Sequence, residues 1–84
     1  MTLPTVHLNG TSAKDLYADL ERAYDAIQVA WEVLRRAAPN GRDYYPQGPR
    51  VVYQAEDEHV SRLQRLQSVQ QELELLMEHV GKNL

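Results

Sequence analysis

In LYADLERAYDAIQVAWEVLRRAA, residues 16–38, apolar side chains return at Leu16, Leu20, Ala23, Ile27, Ala30, Leu34 and Ala37. The steps alternate four and three, which is the seam of a helix that packs lengthwise on another helix. Tyr24, Trp31 and Ala38 flank the seam on one side, and Ala26, Val29 and Val33 widen it on the other. The spacing predicts a helix over 12–38. Ser12 followed by Asp15 resembles a capping box at its start, and Pro39 with Asn40-Gly41 stops it.

Beyond residue 49 a second stripe appears at Val52, Ala55, Val60, Leu63, Leu66, Val69, Leu73, Leu76 and Val80. It predicts a helix over 50–80, opened near Pro49 and ended by Gly81. At about 1.5 Å per residue the two helices are roughly 40 and 45 Å long, matched for an antiparallel hairpin. Ahead of them, Thr5-Val6-His7-Leu8-Asn9 alternates in polarity and reads as a short strand over 5–9, with Asn9-Gly10 as a turn. A lone strand has no mate within the chain, so its expected mate is the same strand of a second copy.

These elements form one all-α domain over 1–84 with a thin core. Both helices carry more apolar surface than one contact covers, so the expected assembly is a homo-oligomer, a dimer or higher, forming a helical bundle. Leu20, Ile27, Trp31, Leu34, Leu63, Leu66, Leu73 and Leu76 are the expected oligomer interface.

Composition narrows the chemistry. There are no cysteines among the 84 residues, which removes disulfides and thiolate metal sites and fits a reducing cytosol. No apolar run is long enough to cross a bilayer, and Met1–Gly10 lacks the basic start and apolar stretch of a secretory signal. The expectation is a soluble intracellular protein. The net charge of −3 argues against duplex nucleic acid as a partner. Yet Arg35, Arg36, Arg42 and Arg50 share their stretch with a single acid, Asp43, whereas the rest of the chain holds five basic and eleven acidic residues.

That basic island contains the loop over 39–49, Pro-Asn-Gly-Arg-Asp-Tyr-Tyr-Pro-Gln-Gly-Pro, too rich in proline and glycine for a regular element. Its tyrosines argue for order, and a long ordered loop is usually a functional one. Asn40, Arg42, Tyr44, Tyr45 and Arg50, with Arg35 and Tyr53 beside them, are the candidate ligand-binding residues. Guanidinium groups grip phosphate with paired hydrogen bonds, and tyrosine rings stack on bases. The competing reading is structural: tyrosines capping the bundle end, and arginines opposing helix carbonyls.

Other chemistry finds little footing. Glu56 and His59 have the Glu-x-x-His spacing of di-iron bundles, with Glu32 or Asp25 as possible completions. A histidine on a helix seam more often packs or hydrogen-bonds, and no metal or other cofactor is expected. No serine is framed as a nucleophile: Ser12 reads as a cap, and Ser61 and Ser68 lie on a helix face. Phosphate-loop and dinucleotide glycine motifs are absent. His7 and His79 have no evident partners. The chain reads as a binding protein and not an enzyme.

His7-Leu8-Asn9-Gly10-Thr11-Ser12 and the central Ala38-Pro39-Asn40-Gly41-Arg42-Asp43-Tyr44-Tyr45-Pro46-Gln47-Gly48 resemble a family of small tailed-bacteriophage proteins. The resemblance covers most of the chain, and the family has no assigned enzyme activity. It implies a phage protein in the cytoplasm of an infected bacterium, with Asn40–Gly48 as its functional surface. Small non-structural phage proteins often disarm host immunity, and some are helical oligomers that sequester signalling nucleotides, an analogy of type and not of family. The expected function is therefore counter-defence by sequestering a small phosphorylated ligand such as an immune signalling nucleotide. The alternative is a module that docks on a host defence protein through 39–50.

Overall fold

Ser12 starts the first helix. Its backbone is extended at φ −62° and ψ 151°, and its Oγ accepts the Asp15 backbone N–H at 3.1 Å. That bond satisfies one of the four amides a helix start leaves without a partner. The computed structural model, which describes Met1–Leu84, then runs through helix α1 (Ala13–Arg36), two 3-10 turns (Gly41–Asp43 and Tyr45–Gln47) and helix α2 (Val51–Gly81). Helix α1 is shorter than the expected 12–38. The Ala37 N–H reaches back only three residues, to the Leu34 carbonyl at 3.0 Å, and Pro39 disfavours the helical region for Ala38. Helix α2 starts one residue later than expected, after Arg50, and ends on Gly81.

The two helices form an antiparallel hairpin. Near its open end Tyr17 lies against Gly81, further along the Tyr24 hydroxyl donates to Glu74 at 2.9 Å, and beyond that Gln70 donates to Gln28 at 2.9 Å. The molecule is a rod of 61 × 21 × 17 Å, one layer of helices thick. Only Ala13, Ala55, His59, Gln70 and Val80 are buried, so the core is a single line of contact. No helix is long and apolar enough to cross a membrane.

The seam of α1 differs from the one its aliphatic periodicity suggests. The side chains drawn towards α2 include Ala13, Tyr17, Leu20, Tyr24, Ile27, Gln28, Trp31 and Leu34, all buried or half-buried. Ala23, Ala30 and Ala37 are exposed. The reason is area: an aromatic ring buries about 150–250 Å², far more than an alanine methyl. The helix therefore rotates to bring its tyrosines and tryptophan inward. Leu20, Ile27 and Leu34 belong to both seams. All eight residues expected at an oligomer interface are half-buried in the single chain, because the hairpin itself takes part of their surface.

Two further expectations are corrected. Residues 5–9 form no strand: the segment is irregular and closes in a turn in which the Gly10 N–H donates to the His7 carbonyl at 3.1 Å. The arm is instead held by His79, whose Nε2 lies 2.7 Å from the Pro4 carbonyl, so His79 does have a partner. The 39–49 loop is also more regular than its prolines and glycines suggest. Asn40 caps the first 3-10 turn and Pro46 sits in the opening of the second, because single turns tolerate residues that long helices do not.

Replacing Ser12 with alanine removes the cap of α1. Urea denaturation is expected to show a loss of about 1 kcal/mol with the helical signal of the folded state unchanged.

Candidate binding site

The loop end is built by short-range bonds. Asn40 Oδ1 accepts both the backbone N–H of Arg42, at 3.0 Å, and its Nε–H, at 3.3 Å. Asn40 is thus a brace for the turn. Gly48 follows at φ +123°, a backbone conformation that side chains with a Cβ rarely adopt, and it turns the chain into α2. Arg35 is drawn to α1, its guanidinium carbon 5.7 Å from the centre of the Trp31 ring, a cation–π contact that holds it on the helix.

The expected ligand residues therefore separate into groups. Tyr44 is half-buried and lines a cleft of about 260 Å³ with Gln47, Val51, Gln54, Ala55 and Glu58. Tyr45 and Tyr53 are 73% and 62% exposed, and Arg42 and Arg50 are exposed as well. None of these four lines the cleft. The chain's two ion pairs join Arg22 to Asp19 and Arg62 to Glu58, so neither Arg42 nor Arg50 has a carboxylate partner. The cleft carries Glu58 and no arginine, and a carboxylate repels phosphate at close range. Gln47, Gln54 and Glu58 are cleft residues that the sequence reading passed over. For Gln54 and Glu58 the signal is the spacing of Val51, Gln54, Ala55 and Glu58, which puts them on one face of the first turns of α2, whereas nothing in the sequence marks Gln47.

A larger cleft, about 420 Å³, opens at the other end between Tyr17, Tyr24, Glu74, Met77, Glu78 and Gly81. Tyrosines seven apart on α1 face glutamates four apart on α2 there. The hydrogen bond to Glu74 raises the Tyr24 phenol above its ordinary value, and the charge of Glu74, partial burial and the charge of Asp25 add to it. Glu56, His59, Glu32 and Asp25 do not converge: no three histidine or acidic side chains gather as a metal site would need. His59 is buried in the seam while Glu56 is exposed. The His59 Nε2 and Trp31 Nε1 atoms are both enclosed without a hydrogen-bond partner.

Two outcomes follow for these sites. A spectrophotometric titration is expected to place ionisation of Tyr24 above pH 10.0, and Tyr24→Phe removes that component. Because the folded value is raised, the stabilisation from this contact is complete below the unfolded value and lost as pH climbs through the folded one. Gly48→Ala is expected to cost about 1–3 kcal/mol in thermal or urea unfolding and to disturb the loop while both helices persist. No protein-family model, curated protein or solved structure matches the chain.

Proposed function

We propose that the chain is a non-enzymatic binding protein, a homo-oligomeric helical bundle whose loop ends dock on a partner protein. The observation that carries this reading is the exposure of Tyr45 and Tyr53, two large aromatic side chains left at the loop end beside the unpaired Arg42 and Arg50. Tyrosine and arginine dominate the energetic centres of protein interfaces because each covers much surface with few rotatable bonds. Tyr45 and Arg42 stand on the braced loop, and Arg50 and Tyr53 on the start of α2, so little ordering is left for the moment of binding. With the resemblance to phage proteins, the partner is a host defence protein met in the bacterial cytoplasm. Neither a membrane nor duplex nucleic acid is part of this reading.

A second reading keeps the small phosphorylated ligand. It is favoured by Arg42 and Arg50 lacking carboxylate partners, which leaves the Arg50 fork and the terminal nitrogens of Arg42, whose Nε–H is held by Asn40, open to phosphate. It is weakened by the acid in the cleft that Tyr44 lines.

Capture from host lysate, with calorimetry alongside, separates the two. The expected result is one stoichiometric protein partner, bound at least about tenfold more weakly by Tyr45→Ala or Arg50→Ala. Tyr45 is preferred to Tyr44 for this purpose, since Tyr44 lines the cleft. Calorimetric binding of cyclic or ADP-ribose-type nucleotides, lost in Arg42→Ala and Arg50→Ala, would instead establish the second reading. Folded protein with neither signal overturns both.

A further inference from the structure

The heptad repeat of α1 is double. Each shared residue, Leu20, Ile27 or Leu34, follows three residues after an aromatic side chain that packs towards α2. Each precedes by three an alanine that faces solvent: Ala23, Ala30 and Ala37 respectively. At about 100° per residue, these alanines mark a second stripe beside the first, and it continues outward through Ala26 and Val33. All five are exposed. The same broad side of the hairpin carries Leu66, Leu73 and Leu76, half-buried, and Val69, which is 42% exposed. A shallow trough between Leu34, Leu66 and Val69 joins the two helices there, with Arg62 and Arg65 at its rim. The opposite broad side is polar, lined by Tyr24, Gln28, Gln67, Gln70, Gln71 and Glu74.

We propose that this apolar side is the contact between two copies of the chain, which close on it as a two-fold four-helix bundle. The inference rests on the oligomeric reading above and gives it a surface and a geometry. A helix in such a bundle touches two neighbours and needs two seams that share a central line of residues. Helix α1 has that pattern and uses only one seam within the chain. The alanines let the neighbouring backbone come close.

Size and charge choose a second copy as the occupant. The 24 residues of α1 span about 36 Å, and the rod is 21 Å wide. The face thus offers roughly 700 Å² per copy, close to the ~800 Å² per partner of a stable standard interface. The face is also self-complementary in charge. Asp19 and Arg62 on this face are already paired within the chain, with Arg22 and Glu58, which leaves Asp15 at its open end and Arg65 at its loop end without ion-pair partners. A two-fold axis across the helices turns one copy end for end, so that Asp15 of each copy comes to the end of the other that carries Arg65. The two loops then point away from each other at opposite ends of the bundle. That arrangement suits two separate docking tips and excludes a single pocket shared by both loops.

Sedimentation equilibrium of the full chain tests the proposal. The expected mass is twice the 9.7 kDa of one chain at micromolar concentration. Ala30→Glu, at an exposed position, is expected to weaken self-association at least about tenfold with the helical circular dichroism retained. If that variant loses helicity, Val69→Lys on the same face supplies the measurement. Gln71→Glu, on the polar side, is expected to keep the doubled mass. A wild-type monomer, a dimer broken by Gln71→Glu and not by Ala30→Glu or Val69→Lys, or a foreign helical protein bound on this face in place of a second copy would overturn it. Tyr45→Ala still dimerises and a monomeric Ala30→Glu still binds the tip partner, so failure of the docking reading and failure of this one are read separately.

Discussion

A pair of helices side by side can hide only one stripe of each from water, and α1 carries two stripes. Everything else in the molecule is arranged around that constraint. The contact with α2 takes the stripe with the larger side chains, Tyr17, Tyr24 and Trp31, because those positions remove the most apolar area from water. The alanine stripe is left outside. The result is a rod with a line of half-buried residues and five buried ones in place of a filled interior. Such a rod is marginal alone, since so small a share of its surface is withdrawn from solvent.

Polar groups within the seam set its register. Gln70 is buried, and its amide is satisfied by Gln28 on the facing helix. A slide of one helix along the other would separate these amides and leave Gln70 enclosed without a partner, at about 1–3 kcal/mol. Tyr24 and Glu74 add a second tie a turn away. Apolar ridges alone permit several alignments that differ little in energy, and hydrogen bonds at fixed points distinguish among them. The cost of this arrangement is visible in His59 and Trp31, whose enclosed ring nitrogens go unpaired.

The loop follows the opposite strategy. Short-range bonds from Asn40 and two 3-10 turns hold the backbone, while Tyr45 and Arg42, with Arg50 and Tyr53 at the start of α2, stay outside. A stiff support that leaves rings and guanidinium groups unburied is suited to recognition, because the ordering has been done by folding. Holding Arg35 over Trp31 removes one cation from that display and uses it to cover an aromatic face.

Both helices, their ends to within two residues and the position of the loop were legible in the sequence, because periodicity, caps and breakers are local properties of the chain. The composition of the loop was equally plain. Which of the two α1 seams turns inward was not, since Ala23 and Tyr24 both fit a four-three repeat and only the shape of the facing helix separates them. The same holds for the loop end, where Tyr44 lines a cleft beside Glu58 while Tyr45 stays outside. Neighbours in sequence were sent to different surroundings there. The segment 5–9 had the polarity of a strand, but a strand exists only where another edge pairs with it, and the chain holds that arm through His79 instead. Local pattern thus determined which elements form. Competition for buried area and for hydrogen-bond partners, which involves residues far apart in the chain, decided which faces meet.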